Sequence, residues 1–405
     1  MFKAISVSRE IIGKGENLLL QGDSAYADLT KWRGQVQCVY IDPPFMTGEK
    51  YVCRRPVGEE GWKKGNPTIQ LPAYSDKFPS RESYLDFLRR LCDQAKMLLA
   101  PTGMFALHLD WHAAPYGRIL CDNVFGEKMF MNEIVWAYET GGRSVKCFSR
   151  KHDTILLYAR SRDIRFDITR VGLDRQNNRK NHMRREVDEH GRAYRSIKSG
   201  GKVYRYYDDE PVYPGDVWTD ISHLQQKDPE RTGYATQKPR KLLERILLPV
   251  TVPGDLVVDL CCGSGTTLEA ANAIGCRFLG IDGNGAALEI TTSRLRNNDY
   301  TVASECTVDD ATVEAAFEKE RGVMTLMSFH AEGDFPQLAD PLGIVEQWRV
   351  GRVKDGVFYT EENLLRSHQS PDLPAWGIVP EGEGVPAISI TDASGKRRVF
   401  AWVDA

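Results

Sequence analysis

The chain has 405 residues, 41% hydrophobic and 27% charged, with a formal net charge of −3. That balance supports a substantial buried core and excludes disordered and fibrous classes, and the length suits two domains plus an insertion. Met1 to Asn17 carries Lys3, Arg9, Glu10, Lys14 and Glu16, and no apolar run reaches membrane-spanning length, so a soluble, cytoplasmic protein without a signal peptide is expected.

The first elements in chain order are a strand at Asn17 to Leu20, followed by Gly22-Asp23-Ser24, and a strand at Val36 to Ile41. The second strand runs directly into Asp42-Pro43-Pro44-Phe45. An acid, two residues without a backbone N–H and an aromatic ring place hydrogen-bond acceptors beside a flat apolar face, and the prolines hold Asp42 and Pro43 stiffly. A planar exocyclic amine of a nucleobase suits such a place. Its lone pair is delocalised into the ring, and acceptors from Asp42 and a main-chain carbonyl of the Pro43-Pro44 turn would localise it toward an electrophile. An ordinary strand-end turn is the competing reading.

The segment from Glu49 to Tyr74, rich in Lys, Arg, Gly and Pro, lacks periodicity and is expected to be a loop, mobile without a partner, that closes over the site. A helix follows at Tyr84 to Leu99, with Leu85, Leu88, Leu91, Cys92, Ala95 and Leu98 on one side. Gly103 to Leu109 is a strand, and Glu133 to Tyr138 and Thr154 to Tyr158 suggest an antiparallel edge. His108 and His112 are four apart, but the preceding run is strand-like, and the nine cysteines lack paired C-x-x-C knuckles. No metal and no disulfide framework is expected.

Charge is unevenly spread. Residues 301 to 405 hold 9 Lys+Arg against 18 Asp+Glu, leaving 44 basic and 38 acidic residues in 1 to 300. The basic excess concentrates between Arg160 and Arg205, including Arg175, Arg179, Lys180, Arg184, Arg185, Arg195 and Lys198, with Tyr194, Tyr204, Tyr206 and Tyr207 interleaved. Arginine grips phosphates and reads guanine edges, and the rings can stack on bases, so a nucleic acid is the expected partner; a solvated charge run is the alternative.

Thr236-Gln237-Lys238-Pro239 then leads into a helix with the apolar stripe Leu242, Leu243, Ile246 and Leu247, which places donors at a helix N-terminus. A βαβ unit follows: the strand Leu256 to Leu260 containing Asp259, the turn Cys261-Cys262-Gly263-Ser264-Gly265-Thr266-Thr267, a helix from Leu268 to Ile274, and the strand Arg277 to Asp282. Its glycines permit close backbone approach, and an acid ending the second strand can take both ribose hydroxyls. The turn lacks full G-x-G-x-x-G spacing and has no P-loop lysine, which disfavours nicotinamide and nucleoside triphosphates and favours S-adenosylmethionine. The tail is expected to hold a helix near Val313 to Arg321 and then a small β-rich module.

These motifs, in this order, resemble the amino-methylating DNA methyltransferases of the permuted β group, similar to those of restriction-modification systems. Further matching stretches are Thr47-Gly48, Tyr74-Ser75-Asp76, Gly103 to Asp110, Asn132 to Trp136, Phe148 to Asp153 and Asp216 to Ile221. The resemblance implies that Asp42, Pro43, Pro44 and Phe45 engage a flipped base. It implies that Asp259, Cys261, Gly263, Gly265 and Thr266 line the cofactor pocket, that Asp282 binds the ribose, that Thr236, Gln237, Lys238 and Pro239 face the methionine end, and that Asp23 approaches the adenine. Cys261-Cys262 departs from the family pattern. The expected fold is α/β, a Rossmann-like doubly wound methyltransferase sheet with an antiparallel edge, an inserted target-recognition segment and a small C-terminal β-rich module. The divisions are 1–160 (catalytic half), 161–230 (target-recognition insert), 231–300 (cofactor-binding half) and 301–405 (acidic module). The expected function is methyl transfer from S-adenosylmethionine to adenine N6 in duplex DNA by base flipping and in-line displacement. Cytosine-N4 methylation, a catalytically silent DNA-binding relative and, more distantly, a nicotinamide dehydrogenase are the alternatives. A homodimer and a cognate restriction endonuclease stay open as partners.

Overall fold

The computed structural model describes residues 1–64, 67–138, 144–173, 184–225, 227–295, 299–303, 308–333, 335–367 and 370–403. The strands are β1 (Phe2–Ile5), β2 (Arg9–Ile12), β3 (Asn17–Gln21), β4 (Val36–Ile41), β5 (Lys50–Pro56), β6 (Thr68–Ser75), β7 (Leu99–Asp110), β8 (Phe130–Ala137) and β9 (His152–Ala159). Next come β10 (Arg185–Val187), β11 (Ala193–Ser199), β12 (Lys202–Tyr207), β13 (Val217–Trp218), β14 (Leu256–Asp259), β15 (Arg277–Asp282) and β16 (Tyr300–Ala303). The tail adds β17 (Thr312–Glu318), β18 (Val323–His330), β19 (Val345–Lys354), β20 (Val357–Leu365), β21 (Trp376–Ile378), β22 (Val385–Asp392) and β23 (Arg397–Trp402). The helices are α1 (Gly58–Lys64), α2 (Arg81–Leu98), α3 (Ala114–Phe125), α4 (Arg240–Leu247), α5 (Thr266–Ile274) and α6 (Gly285–Arg294).

The functional half of the sheet runs β16-β3-β15-β14-β4-β7, all parallel, and then β9 and β8, which are antiparallel. All six residues of β4 are buried, as a central strand covered on both faces requires. Cys38 and Tyr40 face one core with Leu242 of α4 and Leu268 of α5, while Val39 and Ile41 face the other with Leu88 and Leu91 of α2 and Cys121 of α3. Helices therefore cover both sides, the doubly wound arrangement. The α2 helix starts at a reciprocal cap, Ser80 accepting from the Ser83 N–H while the Ser83 hydroxyl accepts from the Ser80 N–H. In this layout the carboxyl ends of β3, β15, β14 and β4 share one rim, with Asp23, Asp282, Asp259 and Asp42 at or just past them.

Two local expectations change. Thr312–Glu318 is a strand, because Val313, Ala315 and Phe317 alternate with more exposed residues at a period of two rather than on a helical stripe. Residues 49 to 74 are no irregular loop: β5 and β6 form an antiparallel hairpin enclosing α1, with Tyr51 stacked on Tyr74 at 4.8 Å. Its tie to the rest of the chain is long-range, for Arg55 Nε donates to Glu346 Oε1 at 2.6 Å and both side chains are buried. That contact lies 291 residues away along the chain, beyond the reach of local patterning.

The tail continues the main sheet through the beginning of the chain. β2 sits between β16 and β20, and β1 pairs with β23, Phe2 lying opposite Trp402. Glu10, fully buried on β2, accepts from Arg349 at 3.0 Å, Arg397 at 2.7 Å and Thr360 at 3.1 Å. Burial opposes its charge, but the two guanidiniums outweigh that and hold its carboxyl below the usual range.

Candidate active site

The chain leaving β4 turns sharply. Met46 adopts a φ of 60°, and the fully buried carboxylate of Asp76 holds that bend. Asp76 Oδ1 accepts the Met46 N–H at 2.9 Å, and Oδ2 accepts the Thr47 N–H at 3.1 Å and the Thr47 hydroxyl at 2.6 Å. Phe45 consequently presents its ring beside the strand tip, parallel to the His108 imidazole at 6.4 Å. Lys238 donates to Asp42 Oδ2 at 2.6 Å and lies 5.4 Å from the centre of the Phe45 ring.

A cavity of about 310 Å³ opens at the shared rim. Asp23, Asp42, Pro44, Phe45, Thr236, Gln237, Lys238, Asp259, Cys261, Gly263, Thr266 and Asp282 line it together, although they come from opposite ends of the sequence. Pro43, Pro239 and Gly265 are not among the lining residues. Gly265 instead caps α5 with a left-handed φ of 74°, and a Cβ there would stand 2.6 Å from Thr291 Oγ1. Pro239 is the N-cap residue of α4. Gln237 turns its amide to structural use, accepting from the Thr232 N–H and hydroxyl at 2.8 Å and donating to the Glu230 carbonyl at 2.7 Å.

Electrostatics in this cavity favour a cation. Burial, reinforced by Asp42 and Asp282, pushes the Asp259 carboxyl up to about 7 despite hydrogen bonds from Thr267 and the Cys261 N–H. Burial also raises Asp282, whose two oxygens accept from the Gly263 and Asn284 N–H groups at 2.8 Å each. The thiols of Cys261 and Cys262 are pushed well up by burial and by Asp259 and Asp282, so they remain neutral walls. Burial opposes the Lys238 charge, yet Asp42 and Asp153 outweigh it and hold the ammonium above the ordinary lysine range. Acids kept short of a full complement of cations, with glycine backbone alongside, fit a hydroxylated nucleoside that carries positive charge.

A second cavity of about 300 Å³ shares Phe45, Thr236, Gln237 and Lys238 with the first and adds Tyr51, Trp111, Trp136, Tyr138, Asp153 and His223. Sequence reasoning singled out none of these added residues; Tyr51 falls in the segment expected to close over the site, and Trp136 and Asp153 fall in stretches matching the family. Behind this cavity lies a buried polar chain. The Tyr40 hydroxyl meets His108 Nδ1 at 2.8 Å, His108 Nε2 meets Asp153 Oδ2 at 3.1 Å, and the Tyr138 hydroxyl donates to Asp153 Oδ1 at 3.0 Å. Both ring nitrogens of His108 are thus engaged by protein groups. Asp76 was likewise missed as a clamp.

Of the basic segment's described residues, those from Arg185 to Arg205 lie on or between the strands of the sheet β10-β11-β12 and line neither cavity. Arg184, Arg185 and Lys198 are exposed, with Arg185 donating to Asp208 at 2.7 Å, and Arg195 is half-buried 3.9 Å from the same carboxylate. Tyr204 and Tyr206 are exposed on β12. Arg175, Arg179 and Lys180 lie outside the described residues.

Residues 36–293 match the family model described as DNA methylase, of the N6/N4 type. DNA adenine methyltransferase YhdJ of Escherichia coli (strain K12) is 25% identical over 296 residues, covering 72% of this chain and 87% of its own length. The type II methyltransferase M2.LlaDCHI of Lactococcus lactis subsp. cremoris is 30% identical over 286 residues, covering 69% of this chain and 90% of its own. Among solved structures, the PvuII DNA methyltransferase (cytosine-N4-specific) is 16% identical with a TM-score of 0.45, covering 70% of this chain and 88% of its own.

Proposed function

The chain belongs to the N6/N4 DNA methylase family, and from that premise we propose that it methylates the N6 amine of an adenine extruded from duplex DNA, using S-adenosylmethionine. The observation that carries this reading is the meeting of two cavities at the Asp42–Phe45 tip, one lined by carboxylates and glycine backbone, the other by aromatic rings.

Bound in the first cavity, S-adenosylmethionine supplies an electrophilic methyl group on a sulfonium. Asp282 would take the ribose hydroxyls, Asp23 would approach the adenine, and Asp259, Cys261, Gly263 and Thr266 would form the wall, with Thr236 and Lys238 toward the methionine end. In the second cavity Phe45 would stack on the extruded base. Asp42 would accept one amine N–H and a main-chain carbonyl of the Pro43-Pro44 turn the other, which localises the nitrogen lone pair. The excess proton appears on the amine only after transfer, so Asp42 acts chiefly by orientation. An acid as the leading residue of the tetrapeptide favours adenine over cytosine. Arg184, Arg185, Arg195 and Lys198, with Tyr204 and Tyr206, offer a surface for phosphates and bases outside the flipped nucleotide.

Incubating the chain with duplex DNA and labelled donor, then digesting to nucleosides, tests this directly. N6-methyldeoxyadenosine is the expected product; N4-methyldeoxycytidine would overturn the base assignment, and an unlabelled digest would overturn the activity.

A further inference from the structure

Lys238 occupies the place the reacting amine needs. Its ammonium takes Asp42 Oδ2 at 2.6 Å and stands over the Phe45 ring, with 10% of the side chain exposed. A base cannot stack on that ring and present its amine to that oxygen while the ammonium stays. Withdrawing the ammonium without a new partner would leave two uncompensated charges in a poorly hydrated site, a penalty that base entry would have to overcome.

Asp153 offers the alternative partner. It lies on β9, is 9% exposed, and lines the second cavity together with Lys238. Its two oxygens are fixed by His108 at 3.1 Å and Tyr138 at 3.0 Å, and His108 is itself fixed by Tyr40. An imidazole and a phenol are not permanent cations, so the carboxylate is preorganised yet keeps room for one. The two carboxylates already share Lys238 electrostatically: Asp42 and then Asp153 are what hold its charge against burial.

We propose that Lys238 is a transferable counterion: entry of the extruded base passes its ammonium from Asp42 to Asp153, which frees the Asp42 acceptor for the amine while the site's net charge stays constant. This rests on the methyltransferase reading of the same site. Asp153 and Lys238 are then positioning residues, and the buried chain Tyr40–His108–Asp153 exists to keep the receiving carboxylate in place.

The test is a double-mutant cycle on the full chain with Asp153→Asn, Lys238→Met and the combination. Parent activity is measured first, and its absence would count against the methyltransferase reading rather than against the counterion. In the parent background D153N should raise KM for DNA or lower kcat by about tenfold, with donor Kd by calorimetry changed less than about twofold. In the K238M background the same change should cost less than about threefold, because no ammonium needs a receiver, and Lys238→Arg should restore the dependence on Asp153. If K238M abolishes turnover, the cycle is read from the fluorescence of 2-aminopurine at the target position, which reports extrusion without chemistry. Asp153→Ser carries the same cycle if D153N fails to fold. An equal cost of the Asp153 change with and without Lys238 would reduce Asp153 to a support for His108 and Tyr138 and overturn the proposal.

Discussion

Asp76 accepts a 2.9 Å hydrogen bond from the backbone N–H of Met46, a residue with a side chain held at a φ of 60°. Left-handed backbone at a non-glycine residue persists only when its surroundings enforce it, and here the enforcement comes from a buried carboxylate thirty residues downstream. Asp76→Ala should leave the Met46 and Thr47 amides without their acceptor and lower stability by about 1–3 kcal/mol in urea titrations. Because that bend orients Phe45, kcat should fall by more than the loss of folded protein explains. A variant that lost stability but kept kcat per folded molecule would detach the clamp from the chemistry.

Asp42→Ala removes the carboxylate but leaves β4 and the first cavity otherwise intact. Methylation should drop by at least about a thousandfold, as expected when a positioned acceptor is lost from the reacting group. Donor affinity, measured by calorimetry, should survive. Activity within tenfold of the parent would remove Asp42 from the reaction.

Asp259 makes stability depend on pH with a definite sign. Its folded carboxyl is pushed up from 3.8 to about 7, so between those values the unfolded chain loses the proton that the folded chain keeps. Stability from this group is therefore full below pH 4 and declines as pH rises toward 7, by roughly 4 kcal/mol in all. Asp259→Asn should melt progressively higher than the parent, without ligand, as the pH moves from 5 to 8. A Tm difference that stays constant across that range would contradict it.

How much of this was legible beforehand follows the range of the interactions. The strand tips at Asp42, Asp259 and Asp282 were readable because buried parallel strands are short apolar runs ended by turn residues, and β4, β14 and β15 each show that locally. The stripe of α4 was equally plain, and all four of its expected core residues are buried. Asp76 and Asp153 were opaque, since a lone acid beside a strand looks the same whether it caps a turn or receives a counterion. The hairpin at 50–75 was misread because β5 turns Lys50 and Arg54 outward, β6 is interrupted by Pro72, and what buries Arg55 lies in the tail.

Salt dependence tests the surface on β10 to β12. Replacing Arg184 and Arg185 by Gln should reduce the slope of log K against log salt for DNA binding by about 1–2, the share of up to two phosphate contacts. Arg185 has a competing partner in Asp208, which places the pair toward the lower end. An unchanged slope would move the DNA track to another face.

Arg55 and Glu346 connect the hairpin wall of the site to the tail. Glu346→Ala leaves a buried guanidinium without its partner and should cost about 3–5 kcal/mol in denaturant titrations. Donor binding should weaken as well, since Tyr74 on the same hairpin lines the first cavity. Stability lost with donor affinity intact in the folded fraction would confine the ion pair to architecture.

The position of β2 between β16 and β20 also sets an order of events during synthesis. Ile12 must find Tyr300 on one side and Thr360 on the other, so this early strand waits for segments made long after it before it has both neighbours. Glu10 waits longer still for the second of its arginines, Arg397, and until β2 docks the parallel strands have an open border at β16. Closure of the sheet is consequently a late, long-range step, slow by the rule that distant pairings delay folding, and the nascent chain is most prone to aggregate just before it.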